Sequence, residues 1–323
     1  MKRTFPLLNR LNAFWMLLAI VIYAIVALLI QMDIIHAYYQ ITLITIGINI
    51  ILALSLNLVI GVCGQFSLGH AGFMCIGAYT TAIVTKSNPT VWGLLLGILL
   101  GALISALVAL VVAIPTLRLK GDYLAIATLG FSEIIRIAVL NMKITNGAAG
   151  LSNVPKLTNW TLVYILLVIT LIVIANFARS KAGRACLAIR EDEIAAESVG
   201  IHLTKYKSMA FILGAMLAAM AGGLFACYFF FVKPSDFGFA KSIDILVIVV
   251  FGGIGSMTGS VLAGILLGLI SMYLQSFAQL RMILYAVALV LIMIYRPQGI
   301  LGTKEFTMSA LQKRWKQRKE LRK

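Results

Sequence analysis

The chain has 323 residues, 61% of them apolar and only 12% charged, against roughly 45–50% and about 25% in an average soluble domain. No water-soluble globule of this size hides that much apolar surface, so the solvent is lipid. The 27 basic and 11 acidic residues give a net charge of +16; in a soluble protein that would suggest nucleic acid, whereas in a membrane protein it marks cytoplasmic loops.

A bilayer takes about 20 apolar residues per helix. Lys2, Arg3 and Arg10 precede an uncharged run over 11–31. That run is too long for the core of a signal peptide and no A-x-A site follows, so it reads as a first spanning helix. Further spans are predicted over 41–60, 66–85, 91–114, 123–140, 160–178, 208–231, 259–277 and 282–295. The stretch 242–252 is apolar but too short to span alone, and reads as a half-helix running into a glycine cluster. The expectation is an all-α polytopic membrane protein of about ten helices, or eight to nine if two glycine-blurred boundaries merge.

Charge placement fixes the orientation. With ten crossings and the N-terminus inside, Lys2, Arg3, Arg10, Arg118, Lys120, the bases of 179–207 and those of 296–323 share one side, twenty in all, against six opposite. Both termini are therefore expected in the cytoplasm. The organisation is one membrane domain over 1–323, with a cytoplasmic loop at 179–207 and a basic tail at 296–323. The tail is a solvated stop-transfer segment or a charged helix lying on anionic lipid headgroups. Cys63, Cys75, Cys186 and Cys227 show no metal or disulfide spacing and read as small core hydrophobes.

Two stretches cannot be comfortable helices. Gly61, Gly64, Gly69 and Gly72 crowd one, and Gly252, Gly253, Gly255 and Gly259 the other, each costing up to about 1 kcal/mol in a helix. Non-helical backbone at membrane depth survives only inside protein or beside a watery cavity. The broken helices near 61–72 and 252–260 are thus candidate walls of a transport path. Gln65, Ser67, Gly69 and His70 offer polar groups or freed backbone in the first, and Gly252, Gly253, Gly255 and Ser256 in the second. A lone glycine pair would mean only close helix packing; breaks this dense do not. Both carry G-x-x-G, at Gly61/Gly64 and Gly252/Gly255, and paired broken segments in two halves of a transporter point to a path between them.

Glu133 and Arg136 are three apart and can meet on one helix face. Each would cost about 2.5–3.5 kcal/mol facing lipid at a helix centre, so both face the bundle or water, as a structural ion pair or as part of the path. Asp244 is expected to pair with Lys241, and Asp122 to cap a helix after Gly121.

No G-x-x-x-x-G-K-[ST], H-E-x-x-H or G-x-S-x-G occurs, and the three histidines are scattered. No catalytic or metal-binding set emerges, and intramembrane acids are too few for the usual proton relay. The chain reads as a conduit whose energy comes from elsewhere. In the loop 179–207, Glu191, Asp192 and Glu193 stand at the expected start of a short helix, where its dipole favours acids. Ala195 and Ala196 continue it, and Gly200 is a natural C-cap. Such a helix inserts into a groove on another protein, or it is an interfacial loop whose charges only fix topology.

Acid–x–acid, Ala-Ala and then Gly between two spans resembles the coupling loop of ABC importer permeases. More closely, the chain resembles the LivM-type permeases of branched-chain amino acid ABC transporters, in LNLVIGVCGQFSLGHAGFMCIGAY at 56–79, LRLKGDYLAIATLGFSEIIR at 117–136, TNGAAGLSNVP at 145–155, GRACLAIREDEIAAESVGI at 183–201, FGGIGSMTGSVLAG at 251–264 and YRPQGILG at 295–302. Its TNGAAGL departs from a more glycine-rich T-G-G-x-x-G-L. The resemblance implies a non-enzymatic subunit of the bacterial inner membrane with no cofactor of its own. Its partners would be a homologous LivH-like permease, two cytoplasmic ATPases that bind the ATP, and an extracytoplasmic binding protein. Glu191, Asp192, Glu193, Ala195, Ala196 and Gly200 would form the coupling contact. Leucine, isoleucine and valine are the implied cargo, other amino acids, amides or urea being the variants within this type. A self-powered carrier or channel is the competing class.

Overall fold

A computed structural model describes residues 10–33, 35–116, 119, 121–273, 287, 290, 299 and 302. Apart from the single positions 287, 290, 299 and 302, the expected last span at 282–295 and the tail 296–323 lie outside the described residues, as do the bases Lys2, Arg3, Arg118 and Lys120. Among the described residues eleven α-helices follow in order: α1 (Arg10–Gln31), α2 (Ala37–Asn57), α3 (His70–Ser87), α4 (Val91–Thr116), α5 (Asp122–Asn141), α6 (Trp160–Arg179), α7 (Lys181–Glu191), α8 (Glu193–Ser198), α9 (Leu203–Phe229), α10 (Phe239–Gly252) and α11 (Met257–Tyr273). A π-turn, Leu58–Val62, prolongs α2.

Among the described residues, five helices are long and apolar enough to cross a membrane: α2 with its π-turn, α4, α5, α6 and α9. α10 and α11 meet at 120° across a short break and add a sixth candidate as a pair. The sequence expectation places α4, α5 and α6 to within two residues at either end. It starts the third helix at 66, however, and the structure starts it at His70, because 64–69 is irregular, non-helical chain. Asp122 lies in the first turn of α5 with Gly121 at the cap position; its charge there still suits the helix dipole.

The centre of the bundle is α3 packed between α4 and α9. Apolar helices in lipid gain nothing from hiding from water, so they associate by close backbone approach and hydrogen bonds. Gly77 of α3 abuts the Ala219 carbonyl of α9, and Gly222 of α9 abuts that of Met74. Ser105 of α4 donates to the Ala215 carbonyl at 2.9 Å. α1 sits at the edge against α6, where Tyr164 donates to the Ala19 carbonyl at 2.7 Å. All four cysteines are buried free thiols in this packing.

At the bundle end remote from α7 and α8, the loops before α6 and after α9 form a two-residue antiparallel ladder, Leu151–Ser152 (β1) with Phe231–Val232 (β2). Asn146, where the family pattern expects glycine, adopts φ +59° and donates through its side-chain amide to the Gly150 carbonyl at 3.0 Å. Asparagine is among the few residues other than glycine that accept this conformation readily, so the departure leaves the loop folded.

Substituting Gly222 by valine should force α3 and α9 apart. We expect a loss of about 1–3 kcal/mol, the usual cost of overpacking, read as a lower melting temperature of the detergent-solubilised protein; an unchanged melt would contradict the packing.

Candidate functional site

The first break begins where α2 loosens. Gly64 turns the chain at φ +70°, and 64–69 runs back beside α2, so that His70 Nε2 meets Ser55 Oγ at 2.9 Å. Ser55 lies six residues before Gly61, about 9 Å along a helix. Ser55 Oγ itself donates to the Leu52 carbonyl at 2.7 Å, so the imidazole must supply the proton between them, which leaves His70 Nδ1 an acceptor. That Nδ1 and both amide atoms of Gln65 are buried without a hydrogen-bond partner among the described residues. Ser67 Oγ accepts from Gly69 N at 3.3 Å. Gly69 lies so close to Thr128 of α5 that a Cβ there would stand 2.7 Å from its carbonyl oxygen, and Leu68 N donates to Thr128 Oγ1 at 3.1 Å.

The second break is a tight reversal. Gly253 at φ +112° and Gly255 at φ +92° take backbone geometry that side chains resist. Gly252 packs on Gly259 across the turn. Ser256 caps α11, accepting from Gly259 N at 3.0 Å.

The structure brings the two breaks together. Gly61 has backbone of Gly255 where a Cβ would lie. Asn57 bridges them: its Oδ1 accepts from Gly255 N at 2.7 Å, and its Nδ2 donates to the Ser256 carbonyl and to Ser260 Oγ, both at 2.9 Å. Reading the sequence for glycines missed Asn57. Its signal was a lone amide in the apolar run 50–60, since a buried amide in a span needs partners.

Glu133 and Arg136 do meet, with Arg136 Nε 2.7 Å from Glu133 Oε2 and each side chain less than a third exposed. They lie on α5, whose neighbouring Ser132 packs against Gly72 of α3. Lys241 donates to Asn49 Oδ1 of α2 at 2.9 Å, which ties the start of α10 to α2.

The acidic cluster is divided between two helices. Glu191 ends α7, Asp192 is the N-cap of α8, and Glu193 lies in its first turn. Asp192 Oδ1 accepts from Ile194 N and Ala195 N at 2.8 and 3.1 Å. At the other end Gly200, at φ +84°, closes a Schellman turn: Gly200 N donates to the Glu197 carbonyl and Ile201 N to that of Ala196. Glu193 pairs with Lys207 of α9. Ala196 faces inward and is 4% exposed, while Ile194 and Val199 are 77% and 76% exposed; Ala195 and Gly200 are also exposed.

The chain matches, over residues 38–295, the family described as branched-chain amino acid transport system / permease component. It belongs to that family. This permease is 38% identical over 289 residues to the high-affinity branched-chain amino acid transport permease proteins LivM of Salmonella typhimurium and of Escherichia coli, in each case over 79% of this chain and 68% of the relative. It is 26% identical to the LivH permease protein of Salmonella typhimurium, over 79% of this chain and 91% of that one. A chain of PsaBC from Streptococcus pneumoniae, solved with a Fab, aligns with 84% of this permease and 96% of its own length at a TM-score of 0.44 and 15% identity. That is too distant for the helices to be matched one by one.

Replacing Asn57 by leucine should orphan Gly255 N and take one donor from the Ser256 carbonyl, which keeps Ser260 N at 3.1 Å. Each buried group left unpaired costs about 1–3 kcal/mol, so a clear drop in the melting temperature of the solubilised permease is expected. A leucine variant as stable as the parent would show that Asn57 does not hold the breaks together.

Proposed function

We propose that this chain is the LivM-type permease subunit of an ABC importer for leucine, isoleucine and valine in the bacterial inner membrane. The observation that carries this reading is the family match over 38–295, joined to the 38% identity with LivM proteins. It crosses the membrane about ten times, with both termini in the cytoplasm, as a single domain. A homologous LivH-like permease completes the path. Two cytoplasmic ATPases bind the ATP, an extracytoplasmic binding protein delivers the amino acid, and this subunit carries no cofactor.

The path runs past the first break. His70 Nδ1 and Gln65 Oε1 are acceptors suited to an ammonium group, and Gln65 Nε2 is a donor suited to a carboxylate. Ser67 and Gly69 shape the same segment, and the Glu133–Arg136 pair is its polar neighbour on α5. Gly252, Gly253, Gly255 and Ser256 form the facing wall. With Gly61 against Gly255 this route is closed at the α7–α8 end.

α8 is the coupling helix. Asp192 and Gly200 define its two ends, Glu193 ties it to α9 and Ala196 seats it, so the docking face is Ala195 with the exposed Ile194 and Val199. Small residues inserted in a partner's groove remain the basis of the contact at Ala195 and Gly200; Ala196 supports it from beneath.

Proteoliposomes holding this chain with its partner permease and ATPases should take up leucine, isoleucine and valine only when ATP and the binding protein are present. Uptake by this chain alone, driven by an ion gradient, would sink the proposal. Ile194→Asp and Val199→Asp change only exposed positions, so membrane insertion should be normal while uptake falls at least about tenfold, as at interface hot spots. Full uptake in the double variant would remove α8 from the coupling role.

A further inference from the structure

Arg190 is the last base of α7, two residues before the cap of α8. Charge counting treats it as one more cytoplasmic base, yet its side chain reaches across to the helix breaks. Nη1 donates to the Gly61 carbonyl at 2.6 Å. That carbonyl belongs to the π-turn, where the regular helix ladder gives out, and a freed carbonyl at the edge of an apolar bundle needs a donor. The aliphatic stem fills the space above Gly64, where a Cβ would come within 2.8 Å of Arg190 Cγ. On the other side, a Cβ on Gly255 would stand 3.3 Å from Nη1. One side chain therefore touches Gly61 and Gly64 of the first break and lies against Gly255 of the second.

The remaining face of the guanidinium is held by Glu191, whose Oε1 accepts from Nη2 at 2.7 Å and from Nε at 3.3 Å. Glu191 is 73% exposed, so this counter-ion travels with α7 and does not anchor Arg190 to the bundle. A cavity of about 330 Å³, bounded by Val62, Ala178, Leu187, Met257 and Arg190 itself, opens beside the contact. The guanidinium thus has room to leave the carbonyl without displacing packed side chains.

We infer that Arg190 is the latch of the cytoplasmic gate: by holding the Gly61 carbonyl it keeps the two breaks closed on each other, and a pull on α8 withdraws it. The inference rests on the importer reading and assigns Arg190 as a positioning residue that links the coupling helix to the path. The short connection matters mechanically. Asp192 is the only residue between α7 and α8, so α8 cannot be drawn outward far without tilting the end of α7 that carries Arg190.

The test uses the complete importer in proteoliposomes, with leucine uptake and ATP hydrolysis measured together for wild type, Arg190→Gln and Arg190→Lys. Loss of the charge-assisted bond in Arg190→Gln should leave hydrolysis running without its dependence on the binding protein, while uptake per ATP falls at least about tenfold. Arg190→Lys keeps the charge and one donor that can reach a carbonyl, and should recover part of that ratio. Uptake per ATP equal to wild type in Arg190→Gln, at whatever absolute rate, overturns the latch. Should the glutamine variant not assemble, the lysine variant decides: a ratio below wild type supports the latch and a wild-type ratio overturns it. A wild-type importer that moves no amino acid with ATP present rejects the importer reading and the latch together; coupled variants beside a coupled wild type reject the latch alone.

Discussion

Backbone groups released from a helix inside an apolar bundle have to find partners within the protein. In lipid no water can serve them, and each one left unpaired costs several kcal/mol. The arrangement around Gly61 and Gly255 follows from that constraint. One amide, Asn57, satisfies Gly255 N and adds a donor to the Ser256 carbonyl, and one guanidinium satisfies the Gly61 carbonyl. The glycines supply the closeness, and two polar side chains make the closeness tolerable.

The rest of the bundle supports this junction with a different kind of contact. α3, α4 and α9 are held by small residues and by hydrogen bonds from hydroxyl groups to helix carbonyls. Such contacts are dense and numerous, so they make a stiff centre. The junction of the breaks depends on a few directional hydrogen bonds, which can be exchanged one at a time. Packed helices beside a hydrogen-bonded joint suit the latch proposed for Arg190, in which one part keeps its shape while the other changes partners.

Much of this was legible in the residues. Uncharged runs of the right length placed α4, α5 and α6 almost to the residue, and glycine density located both breaks. Residue spacing also brought Glu133 to Arg136. What escaped was every feature that depends on contact across the chain. Hydropathy counted 66–69 as helix because Phe66 and Leu68 are apolar, although their backbone is irregular there. Arg190 counted as one base among many, since a charge tally cannot see that it points inward. Ala196 has the size of a docking residue and is 4% exposed in this chain; which side of a helix of only six residues turns inward is not readable from sequence spacing. The acidic run looked like one helix start because acids favour that end of the dipole; Glu191 instead closes α7, where Arg190 pairs with it.

The Gly61–Arg190 contact has an evolutionary consequence. Its acceptor is a main-chain oxygen, and the residue that bears it has no room for a side chain. Nothing at position 61 can therefore change to compensate for a change at position 190. Among descendants of a common ancestor the two sites would leave no trace of correlated substitution, and methods that find contacts through paired changes would pass over this one. Its only record in a set of relatives would be two positions that each stay as they are.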